Sequence, residues 1–414
     1  MQFGTFLAPH HPLGESPTRL FQRDLDFVEH LDTWGFEEFW CGEHHSSGWE
    51  TIASPEMFLA AAGQRTHTIR LGTGVISLPY HHPFNVAQRM VQLDHMTQGR
   101  AMFGSGPGAL PSDARTLGIN ALVQRDRQDE ALGVIIRLMR GEERFSYQSD
   151  WFTLNEAALQ ILPVQEIMPM AAASSISPSG MQLAGKYGMG ALSIASTSTE
   201  GIAALPTQWG FAQEAAALHN QTVDRKNWRV MMAWHIAETR EQAREEAVVG
   251  LQRWHNEYNV HVLGRPGANH VDDKWELLDE ITGSGAVGAG AAVVGTPDDL
   301  VAAIQHLQKI TGGFCVVLGF AHDWANREAT LRSWELVSRY VVPAVNGTVR
   351  TMQESADFVH DHKAELMASA SAAVMQKIMA HEGAQQAMAT TIKQMTDRAN
   401  KRESTFRPGA GMAT

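Results

Sequence analysis

The sequence predicts an α/β protein built as a (β/α)8 TIM barrel with insertions and a helical C-terminal extension. Short apolar, β-like runs recur eight times between residues 2 and 321. Amphipathic helical stretches alternate with them, a rhythm that lays helices outside a parallel sheet. The alternation occupies about 340 residues, against roughly 250 for a minimal barrel, so the excess lies in insertions. An open doubly wound sheet would alternate in the same way, and the count of eight favours closure.

The first strand reads QFGTFLAP (2 to 9), and the helix after it repeats Phe21, Leu25, Val28 and Leu31 along one face. EEFWCGE (37 to 43) is the second strand. A helix over 54 to 67 follows, with Ser54 as N-cap and Pro55 at its first position. IRLGTGVISL (69 to 78) is the third strand, and a helix starts near Phe84. RAMFGSG (100 to 106) is the fourth, running into the breaker-rich GPGALPSDA, expected to be a loop without regular structure, before a helix over 124 to 140. Residues 141 to 165 break the rhythm with YQSDWFTL and LQILP, expected as a hairpin or added loop. EIMPMAAAS (166 to 174), GALSIAS (190 to 196), NWRVMMAWHIAE (227 to 238) and FCVVLGFA (314 to 321) supply the remaining strands. The polar and Gly/Ala-rich stretch 255 to 295 is expected as an insertion that forms a mobile lid. The barrel is therefore assigned to residues 1 to 344. Residues 345 to 414, rich in Ala, Met and Gln, are expected as helices packing on the barrel or on a second subunit, ending in an unstructured RPGAGMAT.

Composition narrows the function classes. The chain has 414 residues and is 44% hydrophobic and 19% charged, enough apolar content for a large core. Its net charge of −12 repels phosphate backbones and anionic lipid surfaces, so nucleic acid is not an expected partner. No run approaches the ~18 apolar residues of a membrane helix, and the start lacks the pattern of a signal peptide, so a cytoplasmic protein is expected. Cys41 and Cys315 each lie in an apolar strand and read as buried thiols, without a CxxC pair.

In a parallel barrel the working residues follow the carboxyl ends of the strands. Four clusters fall there. GEHHSSGWE (42 to 50) places Glu43, His44 and His45 after the second strand, where an imidazole can move protons near neutrality. Alternating side chains stop His44 and His45 from gripping one ion, so no metal is expected. LGTGVISLPYHHP (71 to 83) carries glycines that let a flat ligand approach the backbone, or that merely permit tight packing. His81 and His82 in that stretch read as capping or solvent-facing. GSGPGALPSDA (104 to 114) is a weak match to a dinucleotide fingerprint, because Pro107 interrupts it. AAASSISPSG (171 to 180) offers four serines and backbone N–H groups where a helix N-terminus would hold a phosphate.

These pieces, with QLDHMTQGRAMFGSGPG and the short TPDDL, resemble the bacterial luciferase-like flavin-dependent monooxygenases over residues 1 to 344. EHHSSGWETIASPE, SLPYHHPF and GPGALPSDA resemble the limonene monooxygenase-like branch. The resemblance implies reduced FMN at the carboxyl ends of the strands, its reaction with oxygen, and transfer from a C4a-peroxyflavin to a small hydrophobic organic molecule. It implies that His44 is the catalytic histidine, a base or a stabiliser of the flavin adduct, oriented by Glu43 or His45. Thr73 and Gly74 fall at the family's non-prolyl cis peptide against the flavin ring. Asp113 matches an acidic position near that ring, and Ser174, Ser175 and Ser177 match the phosphate loop. Pro107 and Ser174 stand where the family has an arginine and a glutamate, so phosphate binding would lean on serines and backbone amides. The chain shows no pyridine-nucleotide fingerprint, which implies a separate flavin reductase as partner, and the family's habit implies a homodimer or higher homo-oligomer. A deazaflavin-dependent dehydrogenase, a non-catalytic flavin-binding subunit and a light-emitting luciferase are the competing readings.

Overall fold

The computed structural model describes residues 1 to 405, with side chains to residue 398. The expected unstructured end at 407 to 414 lies outside the described residues.

Eight parallel strands close into a barrel. They are β1 (Gln2–Leu7), β2 (Glu38–Cys41), β3 (Arg70–Thr73), β4 (Ala101–Gly106), β5 (Met170–Ser174), β6 (Gly190–Ser193), β7 (Trp228–Ile236) and β8 (Val316–Ala321). Neighbours pair in chain order, and closure comes from β8 against β1, with Gln2 opposite Val316. Both faces of each strand are covered, which is why the runs are almost continuously apolar. Phe3, Leu7, Phe39, Leu71, Phe103 and Val317 pack outward against the helices. Phe6, Trp40, Met102, Met231, Leu318 and Phe320 point into the barrel, the period of two that a pleated strand imposes. Gly72 is required there, since a Cβ would stand 2.5 Å from the Trp40 ring.

Local differences from the sequence reading have identifiable causes. The third strand is interrupted after Thr73 and resumes as Ile76–Ser77 against β4. The fifth begins at Met170, after the Pro169 that the expected run included. Ser54 occupies the N-cap of Pro55–Gly63, but its side chain makes no capping hydrogen bond. GPGALPSDA is not wholly irregular, because Pro111 opens a short helix, Pro111–Thr116, as proline does at a first helical position. Residues 145 to 157 form an antiparallel hairpin. After β7 the helix Arg240–Arg253 widens into a π-helix, Trp254–Val262, and a further helix, Lys274–Thr282, precedes a strand, Ala292–Gly295, that pairs in parallel with the end of β7. That strand was hidden from a reading by composition because its valines sit in a Gly/Ala-rich context. Cys41 is buried, whereas Cys315 is partly exposed, one residue before its strand begins.

The described residues divide into two compact units, the first 1 to 346 and the second beginning at Gly347. In the second, helices Arg350–Met379 and Glu382–Thr405 follow one another, and no side chain of the first is buried. Among the described residues, no helix is long and apolar enough to cross a membrane.

Candidate active site

A cavity of about 350 Å³ opens at the carboxyl ends of the strands. Phe6, Ala8, Val75, Leu110, Ile194, Met231 and Phe320 form its apolar wall, and His44, Glu50, Thr197, Ser198, Tyr258 and Arg265 bring polar groups to it. Such a volume, mostly apolar with a few convergent polar groups, is the usual form of a small-molecule site.

The segment after β2 is pinned locally. Gly42 N–H donates to Leu7 O, His44 N–H to Ile52 O, and Glu50 bridges to His10. This puts His44 on the cavity wall between two carboxylates. Its Nδ1 lies 3.1 Å from Asp113 Oδ2, and its Nε2 lies 3.4 Å from Glu50 Oε1. Burial works against a charged His44, but Glu50, the Asp113 hydrogen bond and the nearby charges of Asp113 and Glu43 outweigh it and raise the imidazole above its ordinary range. Burial alone would raise the Asp113 carboxyl. Hydrogen bonds from His44, Ser46 and the His45 amide overcome it, so Asp113 titrates below the usual carboxylate range.

Neither Glu43 nor His45 orients His44, contrary to the expectation; Asp113 does. Glu43 faces away, its Oε1 accepting from His45 Nε2 and His81 Nε2, each at 2.9 Å, and its Oε2 from the Ser77 amide at 3.2 Å. The polar atoms of Glu43, His45 and His81 lie within 4.8 Å of one another, a spacing these hydrogen bonds account for. His81 is thus a partner of Glu43 and not a cap, while His82 does cap, accepting from Phe84 N–H. The two adjacent pairs of histidines look alike in sequence, and only the opposing carboxylates separate their roles.

The cis peptide lies between Gly74 and Val75, one residue beyond the expected Thr73–Gly74 position. Gly74 and Val75 line the cavity, whereas Thr73 is buried behind it, its Oγ1 exchanging hydrogen bonds with the backbone of Gly104 at 3.0 Å. On the β5 loop, Ser174 is buried and donates to Gln208 Oε1, Ser177 pairs with Ser179, and Ser175 is exposed. Gln208 also donates to Ile176 O and so braces this loop. Sequence reading passed over Gln208, Tyr258 and Arg265, which sit inside helical or lid-like stretches without a motif. Glu50 ended a motif that had drawn attention to its histidines.

A closed barrel with a polar cluster at its carboxyl rim has the form of an enzyme site but serves many chemistries, and sequence comparison defines the class. The family model described as luciferase-like monooxygenase matches residues 1–312. The chain belongs to the luciferase-like monooxygenase family and is an enzyme of that kind. It is 46% identical to 4-hydroxyprotoasukamycin monooxygenase of Streptomyces nodosus subsp. asukaensis over 84% of this chain and 93% of that one. It is likewise 46% identical to limonene 1,2-monooxygenase of Rhodococcus erythropolis, over 84% and 87%. Among solved structures, the oxygenating constituent of 3,6-diketocamphane monooxygenase from Pseudomonas putida, a type II Baeyer–Villiger monooxygenase in complex with FMN, superimposes with a TM-score of 0.70 at 25% identity, covering 83% of this chain and 98% of that one.

Proposed function

We propose that the protein is the oxygenating component of a two-component monooxygenase, which takes reduced FMN from a separate flavin reductase and oxygenates a small hydrophobic organic substrate. The observation that carries this reading is His44, held between Asp113 and Glu50 on the wall of an otherwise apolar cavity at the barrel's carboxyl rim.

The residues present fit a flavin. Gly74 is packed so closely on Trp40 and Phe6 that a Cβ would stand 2.9 Å and 3.0 Å from them, and it lies on the cavity wall as an edge of bare backbone that a flat ring could approach. In this reading Thr73 and Gly74 shape that edge against the ring, with Asp113 acting behind His44. The loop of Ser174, Ser175 and Ser177 receives the phosphate, chiefly through backbone amides near the start of helix Ser179–Tyr187, since Ser174 and Ser177 already have side-chain partners. Reduced FMN supplies the electrons that activate oxygen. The chain's own residues bind and orient it, keep water out with the apolar wall, and hold a proton at His44. The names of the 46% identical relatives and the apolar lining both support an organic substrate of low polarity.

Residues 1 to 344 are proposed as the catalytic barrel, 255 to 295 as the segment that covers the cavity, and 345 to 414 as an appended helical element of a homodimer or higher oligomer working in the cytoplasm. Trp254, Tyr258 and Arg265 already line the cavity, which supports a covering role for the segment around them. The test is an anaerobic titration with reduced FMN and, in parallel, a reduced deazaflavin, followed by admission of oxygen and an assay for oxygenated product. FMN binding with substrate-dependent product supports the reading. Preference for the deazaflavin with hydride transfer replaces it.

A further inference from the structure

The π-helical turn after β7 brings Tyr258 to a residue more than two hundred positions away. The Tyr258 hydroxyl donates to Glu50 Oε2. Tyr258 is only 1% exposed and Glu50 5%. The Trp49 ring lies 5.4 Å from the Tyr258 ring and His10 lies 4.7 Å from it, so the phenol is enclosed on both sides. The wider π turn is what carries it inward, closed by Leu263 N–H donating to Tyr258 O at 2.9 Å.

Glu50 has a second oxygen, and two imidazoles face it. Oε1 lies 3.4 Å from His44 Nε2 and 3.6 Å from His10 Nε2, ion-pair distances in both cases. A carboxylate this deeply buried needs a positive partner nearby. His10 is the poorer candidate, because burial first, and then Arg265, His44, His322 and His11, oppose its protonation. Its Nδ1 is also buried with no hydrogen-bond partner, so a charged ring would carry an unanswered N–H. His44 has an acceptor at each nitrogen, Asp113 at one and Glu50 at the other. The remaining charged neighbours of His44 are Glu43 and His45, and those of Tyr258 are Arg265 and Asp113.

We propose that Glu50 and Tyr258 are positioning residues for His44: Tyr258 locks the Glu50 carboxylate so that Oε1 faces Nε2, and the two acidic partners hold His44 as a doubly anchored imidazolium, a fixed positive charge on the cavity wall and not a free base. This rests on the proposed function and decides between the two roles open to His44, proton acceptor or cationic stabiliser. It also makes the stretch after β7 part of the catalytic apparatus, since a shift of Tyr258 would unlock Glu50.

The test is a titration of ring-labelled histidine by NMR in the full-length protein, with the His44 resonance assigned from a His44→Gln spectrum. The His44 midpoint in the native protein is expected above the ordinary value of 6.5. Glu50→Gln is expected to lower it by about one unit or more, within the range a neighbouring charge commands. Tyr258→Phe is expected to move it the same way by less, because a carboxylate without its donor in a dry site takes up a proton or turns from Nε2. If Glu50→Gln does not fold, Tyr258→Phe keeps the ring and its packing and carries the test. A His44 midpoint unmoved in both variants, or a native protein in which His10 titrates above His44, overturns the proposal. The titration needs no flavin, so failure of FMN-dependent oxygenation would remove the proposed function and leave this result standing or falling on its own.

Discussion

Glu38 of β2 and Arg229 of β7 form a forked ion pair inside the barrel, Nε to Oε2 at 2.6 Å and Nη2 to Oε1 at 2.7 Å. Both side chains are nearly inaccessible, the Trp40 indole N–H donates to the same Oε2 at 2.8 Å, and the guanidinium lies 5.0 Å from the Trp40 ring. The pair spans strands that are far apart in sequence and fills the barrel with polar groups that satisfy each other. Removing one partner leaves a buried charge alone. Glu38→Gln is therefore expected to destabilise the fold by about 3 to 5 kcal/mol, read as a lowered denaturant midpoint with an unchanged slope.

His44→Gln keeps the ring's approximate volume but not its charge or its two-sided anchoring. Product formation should fall by roughly 10² to 10³-fold, the usual cost of removing one group that stabilises developing charge. Reduced FMN should bind as in the native protein, because no ring-shaping residue is altered. Unimpaired product formation would remove His44 from the chemistry.

The raised titration of His44 also has a stability consequence with a definite sign. A histidine favoured as the cation by the folded state contributes stability that is complete below its unfolded value of 6.5 and is lost as pH rises through the higher folded value. The thermal midpoint should therefore fall across that window. In His44→Gln this part of the decline should vanish, which differential scanning calorimetry at stepped pH would show.

Gly104 of β4 meets the backbone of β3 so closely that a Cβ would stand 2.0 Å from the Thr73 carbonyl oxygen. No side-chain rotation can relieve a contact with backbone. Gly104→Ala should cost about 1 to 3 kcal/mol and should weaken flavin binding as well, since Thr73 leads directly into the cavity edge at Gly74. Chemical unfolding and a flavin titration read the two effects separately.

Arg265 lines the cavity and its side chain has no hydrogen-bond or ion-pair partner among the described residues. If the cavity takes FMN as proposed, a free cation on its wall should act on the phosphate more than on the ring. Arg265→Ala is expected to weaken FMN binding several-fold while riboflavin binding stays the same. Equal losses for both ligands would place Arg265 at the ring or the substrate instead.

Much of the architecture is legible in the sequence alone. The runs at 2 to 9, 100 to 106 and 314 to 321 are apolar on both faces, and that burial on both sides is what a barrel strand requires. The break in the third strand was not legible, because nothing in LGTGVISL says that the pairing with β4 stops at Gly72 and resumes at Ile76. The strand Ala292–Gly295 was missed for a related reason: four residues in a glycine-rich stretch become a strand only because the end of β7 is there to pair with. At the site, the motif around His44 singles out the imidazole, but the group that hydrogen-bonds it is Asp113 and not Glu43 or His45. Asp113 lies 69 residues away in sequence and Tyr258 lies 208 away from Glu50, so no local spacing could reveal either contact.

The sequence by itself determined the strand–helix alternation, the family and the presence of a histidine at the carboxyl end of β2, because periodicity and motif are properties of neighbouring residues. Tertiary structure alone decided which carboxylate serves which histidine. Four histidines in two similar pairs are equivalent along the chain. They become different only when barrel closure sets Asp113 and Glu50 against His44, and Glu43 against His45 and His81, because charge acts through distance in space.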